Sequence, residues 1–175
     1  ICEKYEIPYF VQGGTAIGAV RHRGYIPWDD DIDVGMLRDD YERFLQVAPG
    51  ELAPTYEIID GYHDKNCPDY ITRISKIGTK QVSKEHTKYK VDNLGISMDI
   101  FPYDNVPEDK ALRKKQVRAR DWYNRLHILW CIPTPDIPGK GLKPMLMKAS
   151  CFVAHFFIRL FASGDRIGQK HKQAL

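Results

Sequence analysis

Gly13-Gly-Thr-Ala-Ile-Gly-Ala-Val-Arg21-His-Arg-Gly-Tyr-Ile-Pro-Trp-Asp29-Asp-Asp-Ile-Asp33-Val34 sets a glycine pair ahead of a run of alternating carboxylates. The preceding Ile7-Pro-Tyr-Phe-Val-Gln12 is a short β-branched and aromatic run, read as a strand that Gly13-Gly14 stops. Thr15 is suited to cap Ala16 to Arg21 as one or two helical turns, whose free N–H groups face whatever lies beside the glycines. His22 to Pro27 has no helical period and holds Gly and Pro, so it reads as a loop. Asp31-Ile-Asp-Val34 alternates carboxylate with β-branched residue, the period of a strand with one wet and one buried face. If extended from Asp29 onward, the stretch puts Asp29, Asp31 and Asp33 on one face, with Asp30 and Ile32 on the other.

Downstream, Asp39 to Val47 places Tyr41, Phe44, Leu45 and Ala48 on one stripe, predicting an amphipathic helix stopped by Pro49-Gly50. Strands are expected at Thr55 to Ile59, Tyr70 to Ile77 and Gly95 to Phe101, and turns from Pro102 to Pro107. Helical spacing returns from Glu108 to about Cys131 and from about Lys143 to Ala162, the second reading as a core or interface helix rather than a membrane anchor. The fold class expected is α+β: a mixed sheet with flanking helices and a C-terminal helical part.

A length of 175 residues fits one hydrophobic core, and 43% apolar with 11% aromatic content excludes disorder as the main state. The net charge of +3 hides a division. Residues 1–107 hold 12 basic and 18 acidic side chains, while residues 108–175 hold 14 and 5. The division suggests two parts with different tasks, residues 1–107 and a basic helical extension of the same domain, residues 108–175. Arg113, Lys114, Lys115, Arg118 and Arg120 spread round their helix, as on a solvated face or one that meets an anionic surface. Nothing in the total charge asks for a nucleic acid. The apolar stretch Met145 to Ser163 carries Lys148, His155 and Arg159, which argues against a bilayer span. Four cysteines without a Cys-x-x-Cys pair are expected to be free thiols in a reducing cytoplasm. The chain opens on Ile1, as expected of a piece of a longer polypeptide.

Three carboxylates along one strand face, at ~3.3 Å per residue, repel one another and call for a hard divalent ion. Mg²⁺, with Mn²⁺ as the alternative, is the ion that grips phosphates through such groups. An EF-hand is excluded: its sixth position must be Gly and is Val34, and its twelfth is Asp40 rather than Glu. Strand, glycine pair, helix and acidic strand together make the pattern of a nucleotidyltransferase. A third strand should then supply another carboxylate, and Asp99 in Ser97-Met-Asp-Ile-Phe101 meets that requirement.

These residues are similar to a known signature. Gly13 to Met36, continued by Arg38-Asp-Asp-Tyr-Glu42, resembles that of the LicD-type phosphocholine transferases, relatives of fukutin and fukutin-related protein. Met98-Asp-Ile-Phe-Pro-Tyr-Asp104 resembles the family's second block. The match covers residues 1–107, and the basic helical part fits only loosely. The resemblance implies transfer of phosphocholine, or a similar phosphoalcohol, from a CDP-activated donor to a hydroxyl of a cell-surface glycan such as teichoic acid or lipopolysaccharide. The expected location is the cytoplasm, at the inner face of the membrane, with the basic helix suited to peripheral contact with it. Asp29, Asp31, Asp33 and Asp99 are the expected metal ligands, with Asp31, Asp33 and Asp99 catalytic and Asp99 open to the role of base. Gly13, Gly14, Thr15, Arg21, Arg73 and Lys76 are the expected substrate contacts. Arg21 is equally suited to a salt bridge with the acids, and Arg73 and Lys76, three apart, fall on opposite strand faces. A nucleotidylyltransferase that attaches NMP to a small molecule and a non-catalytic glycan-binding module of the same fold are the alternatives.

Overall fold

A computed structural model describes residues 1–64, 67–81 and 95–175. In chain order its elements are β1 (Phe10–Val11), α1 (Gly13–Arg21), β2 (Asp33–Leu37), α2 (Arg38–Glu51), β3 (Tyr56–Ile59), β4 (Thr72–Lys76), β5 (Ser97–Tyr103), α3 (Lys110–Cys131), α4 (Leu142–Phe161) and α5 (Gly164–Lys172). The strands form one sheet in the order β1-β2-β5-β4-β3. β2 and β5 run parallel and every other pair is antiparallel, so the sheet is mixed and the class is α+β.

Two compact units divide the chain. One comprises Ile1–Asp60 and Ile71–Asp104, the other Gly61–Tyr70 and Asn105–Leu175. The sheet and α2 build the core of the first. Val34, Met36 and Ile100 alternate onto one sheet face and meet Tyr41, Phe44 and Ala48, the buried stripe of α2, with Ile7 closing the cluster. Tyr41 and Thr72, both fully buried, share a hydroxyl hydrogen bond that ties α2 to β4. Arg38 at the start of α2 grips the Asp104 carboxylate through Nε and Nη2 at 2.7 and 2.8 Å. Because every second residue changes side, this packing leaves Asp33, Gly35 and Asp99 on the opposite face.

In the second unit, α4 lies along α3. His155 Nδ1 donates to the Leu129 carbonyl at 2.6 Å and Trp130 Nε1 to that of Ala162 at 3.1 Å. His127 is buried and donates from Nε2 to the Cys67 carbonyl at 2.9 Å. Tyr70 stacks on both His127 and His171, with ring centroids 4.3 and 4.1 Å apart. All four cysteines are thiols.

Several sequence expectations change. The first helix begins at Gly13 rather than Ala16, with Gln12 as N-cap; Gly13 at φ 54° lets the chain pass from strand to helix without a linker. Thr15 therefore lies inside the helix and does not cap it. α2 runs through Pro49 to Glu51, because a proline in the last turn forfeits one backbone bond and Leu52 N–H still reaches the Ala48 carbonyl at 2.9 Å. β5 continues through Pro102 to Tyr103, where turns were expected. α4 is not a core helix: it contributes no buried residue, and Phe152, Phe156, Phe157 and Leu160 stand exposed. It is long and apolar enough, by length and composition, to cross a bilayer. α5 was not expected at all; Ser163 caps it by accepting from Arg166 N–H.

Candidate active site

The site starts from the register of three strands. Asp33 of β2 pairs with Asp99 of β5, and Asp99 pairs with Arg73 of β4, so three charged side chains stand in one row on one sheet face. Arg73 Nε lies 3.4 Å from Asp99 Oδ1, with side chains only 12% and 18% exposed. Next in the row, Gln12 N–H donates to the Asp33 carbonyl at 3.2 Å. Thr15 Oγ1 accepts from Asp33 N–H at 2.9 Å, so the backbone of Asp33 is clamped from both sides of the β1–α1 junction.

The glycines have a role the sequence did not show. A Cβ on Gly13 would stand 2.7 Å from Asp33 Oδ2, and one on Gly14 would overlap the Asp29 carboxylate. Their missing side chains let two carboxylates lie against the first turn of α1, where backbone N–H groups and the helix dipole favour negative charge. Asp29 Oδ2 is buried there with no hydrogen-bond partner. Such an atom is costly unless a cation or donor joins it.

Asp29, Asp30 and Asp31 precede β2 rather than extending it. Asp29 N–H closes a turn onto the Ile26 carbonyl at 3.0 Å, and Tyr25 hydroxyl donates to the Asp31 carbonyl at 2.7 Å. The bend gathers the three side chains so that one ligand atom from each lies within 4.8 Å of the others. Asp30, assigned to the far face on an extended reading, belongs to this trio. Burial, and then repulsion by Asp31 and Asp29, raises the Asp33 carboxyl above its ordinary range. A hard oxygen-binding divalent cation fits this donor set.

Asp30, Asp31, Arg73, Gln81, Ile96, Ser97 and Asp99 line a cleft of about 400 Å³, a volume suited to a small molecule. A more apolar cavity lies on the opposite face against Val34, Met36 and Ile100, away from the acid row. The other expected contacts fall outside the cluster. Arg21 is exposed at the C-terminal end of α1, about 12 Å of helix from Gly13. Lys76 is exposed at the far end of β4, on the face opposite Arg73. Gln81 escaped the sequence reading, since nothing in its neighbourhood signals a cleft.

Residues 6–129 match the family model described as the LicD/FKTN/FKRP nucleotidyltransferase domain. The chain belongs to this family. The match passes residue 107 and takes in most of α3, so the LicD resemblance reaches further into the basic part than the motifs alone indicated. Over 112 residues the chain is 41% identical to the lipopolysaccharide cholinephosphotransferase LicD of Haemophilus influenzae, covering 64% of this chain and 41% of that protein. It is 40% identical over 51 residues to the ribitol 5-phosphate transferase FKRP of Homo sapiens, covering 29% of this chain and 10% of that one. The matched stretches thus span 41% and 10% of these relatives' lengths.

Proposed function

We propose that the chain is the catalytic core of a metal-dependent transferase that moves phosphocholine from CDP-choline to a hydroxyl of a cell-surface glycan, lipopolysaccharide or teichoic acid. The buried, unpartnered Asp29 Oδ2 within the Asp29, Asp30 and Asp31 trio carries this reading. The likeness to a lipopolysaccharide cholinephosphotransferase supplies the donor alcohol and the acceptor class.

In the reaction an acceptor oxygen attacks the phosphorus that bears choline, the P–O bond to CMP breaks and CMP leaves. Asp29, Asp30 and Asp31, with Asp33 beside them, would hold Mg²⁺ or Mn²⁺. When bound, such an ion would supply positive charge against the negative charge that develops on the phosphoryl oxygens. The first-turn N–H groups of α1 add fixed donors to the same oxygens. Asp99, oriented by Arg73, takes the proton of the acceptor hydroxyl, and Arg73 offsets its charge. An enzyme of this kind works in the cytoplasm at the inner face of the membrane, where the exposed apolar surface of α4 and the basic residues of α3 suit an anionic bilayer.

A nucleotidylyltransferase, admitted by the family's domain type, would instead direct its acceptor to the nucleotide phosphorus of a nucleoside triphosphate, attaching NMP to a small molecule and releasing pyrophosphate. Product analysis, free CMP against pyrophosphate, separates the two readings, and thermal shift with each CDP-alcohol tests the donor. Stabilisation by CDP-choline above CDP-ribitol and CDP-glycerol, dependent on Mg²⁺ or Mn²⁺, is expected. Equal response to all three, or none with metal present, contradicts the proposal.

A further inference from the structure

The face that carries Asp33 and Asp99 does not end at the acids. One strand repeat along β2, roughly 6.6 Å on, Gly35 occupies the same face. Phe10 of β1 is its register partner, and Tyr103 ends β5 beside it. A Cβ on Gly35 would lie 2.6 Å from Phe10 Cζ and 3.0 Å from Tyr103 Cε2, so both rings rest on the bare backbone of β2. The rings meet at 70° with centroids 5.0 Å apart, which makes a corner rather than a stack. They remain 41% and 44% exposed, unusual for aromatic rings beside a core strand. Tyr103 hydroxyl donates to Gln12 Oε1, which fixes the ring against the N-cap of α1.

We propose that this Phe10–Tyr103 corner seats the quaternary ammonium of the donor's choline; the inference rests on the phosphocholine reading above. A trimethylammonium group donates no ordinary hydrogen bond, so it is recognised by aromatic faces and by negative potential. The corner offers the first, and Asp33, one strand repeat away, offers the second. Choline places two methylene groups and an oxygen between its nitrogen and its phosphorus, a reach of the same order as that repeat. A phosphate at the acids and an ammonium at the rings therefore fit one ligand. A polyol donor is less well served: the one hydroxyl in the corner already donates to Gln12.

The test is calorimetric binding by the intact protein, with metal present, of CDP-choline, CMP, CDP-ribitol and the uncharged CDP ester of 3,3-dimethylbutanol. Wild type is expected to prefer the cation over its carbon isostere. Phe10→Leu and Tyr103→Leu are each expected to weaken CDP-choline about 3- to 30-fold, while the isostere and CMP change little. Tyr103→Phe, which keeps the ring, is expected to keep most of the preference. Unchanged CMP binding shows that the variants are folded. The corner is overturned if both leucine variants retain the wild-type cation preference, or if they lose cation and isostere equally. If wild type itself binds CDP-ribitol as well as CDP-choline, the phosphocholine reading falls and the seat with it.

Discussion

Gly14 and Asp29 make a pair in which one residue is small so that the other can be charged. A methyl group at Gly14 would occupy the place of the Asp29 carboxylate. Gly14→Ala is expected to lower CMP release from CDP-choline about 100-fold, since small displacements of reacting groups carry such factors. The α1 signal in circular dichroism should persist, because alanine favours a helix. The carboxylates were legible as a set, yet their faces were not. Alternation assigns faces only where the chain is extended, and the turn at Ile26–Asp29 with the Tyr25 hydrogen bond bends it before β2 begins. Asp30 was lost to that assumption. His127 gives a prediction of another kind. Burial holds its pKa below the ordinary 6.5, and Nδ1 has no partner. The unfolded chain then binds a proton that the folded one refuses, so stability is present above pH 6.5 and declines as pH falls below it. The thermal midpoint should drop between about pH 7 and about pH 5, and less steeply in His127→Gln, which keeps a donor for the Cys67 carbonyl.

Among the elements, β2, β5 and α2 were readable because their periodicities are regular and their apolar residues fall on one side. A buried polar contact, Tyr41 to Thr72, ties α2 to the sheet. Tyr41→Phe removes the hydroxyl and leaves that of Thr72 buried, at an expected cost of about 1–3 kcal/mol in urea unfolding. Burial raises the Tyr41 phenol to about 12, so the contact persists through neutral and mildly alkaline pH. The elements that were misread have separate causes. α1 starts early because a glycine adopts a dihedral that other residues avoid, and α5 is a nine-residue helix of largely polar composition whose cap, Ser163, is its clearest mark. The Phe10–Tyr103 corner was illegible because Phe10 and Tyr103 lie 93 residues apart in the chain and meet only through the β1-β2-β5 order.

For the whole molecule, much of the negative excess in the acidic part lies from Asp29 to Asp40, at the site proposed to hold metal. The basic part carries the exposed apolar helix α4. The intact protein is expected to co-sediment with phosphatidylglycerol vesicles and to bind neutral vesicles several-fold more weakly. Phe152→Asp together with Phe156→Asp should reduce both, since each buried aromatic side chain contributes about 1.5–3 kcal/mol of transfer free energy. The central claim is that the carboxylate cluster transfers phosphocholine. It is tested most directly by following labelled choline from CDP-choline into lipopolysaccharide while measuring CMP, with the intact protein and its Asp29→Asn, Asp31→Asn and Asp33→Asn variants. The account predicts equal amounts of transferred choline and released CMP, loss of both on chelation, and a fall of at least about 100-fold in each variant. Release of phosphocholine in place of CMP, or wild-type transfer by the asparagine variants, would contradict it.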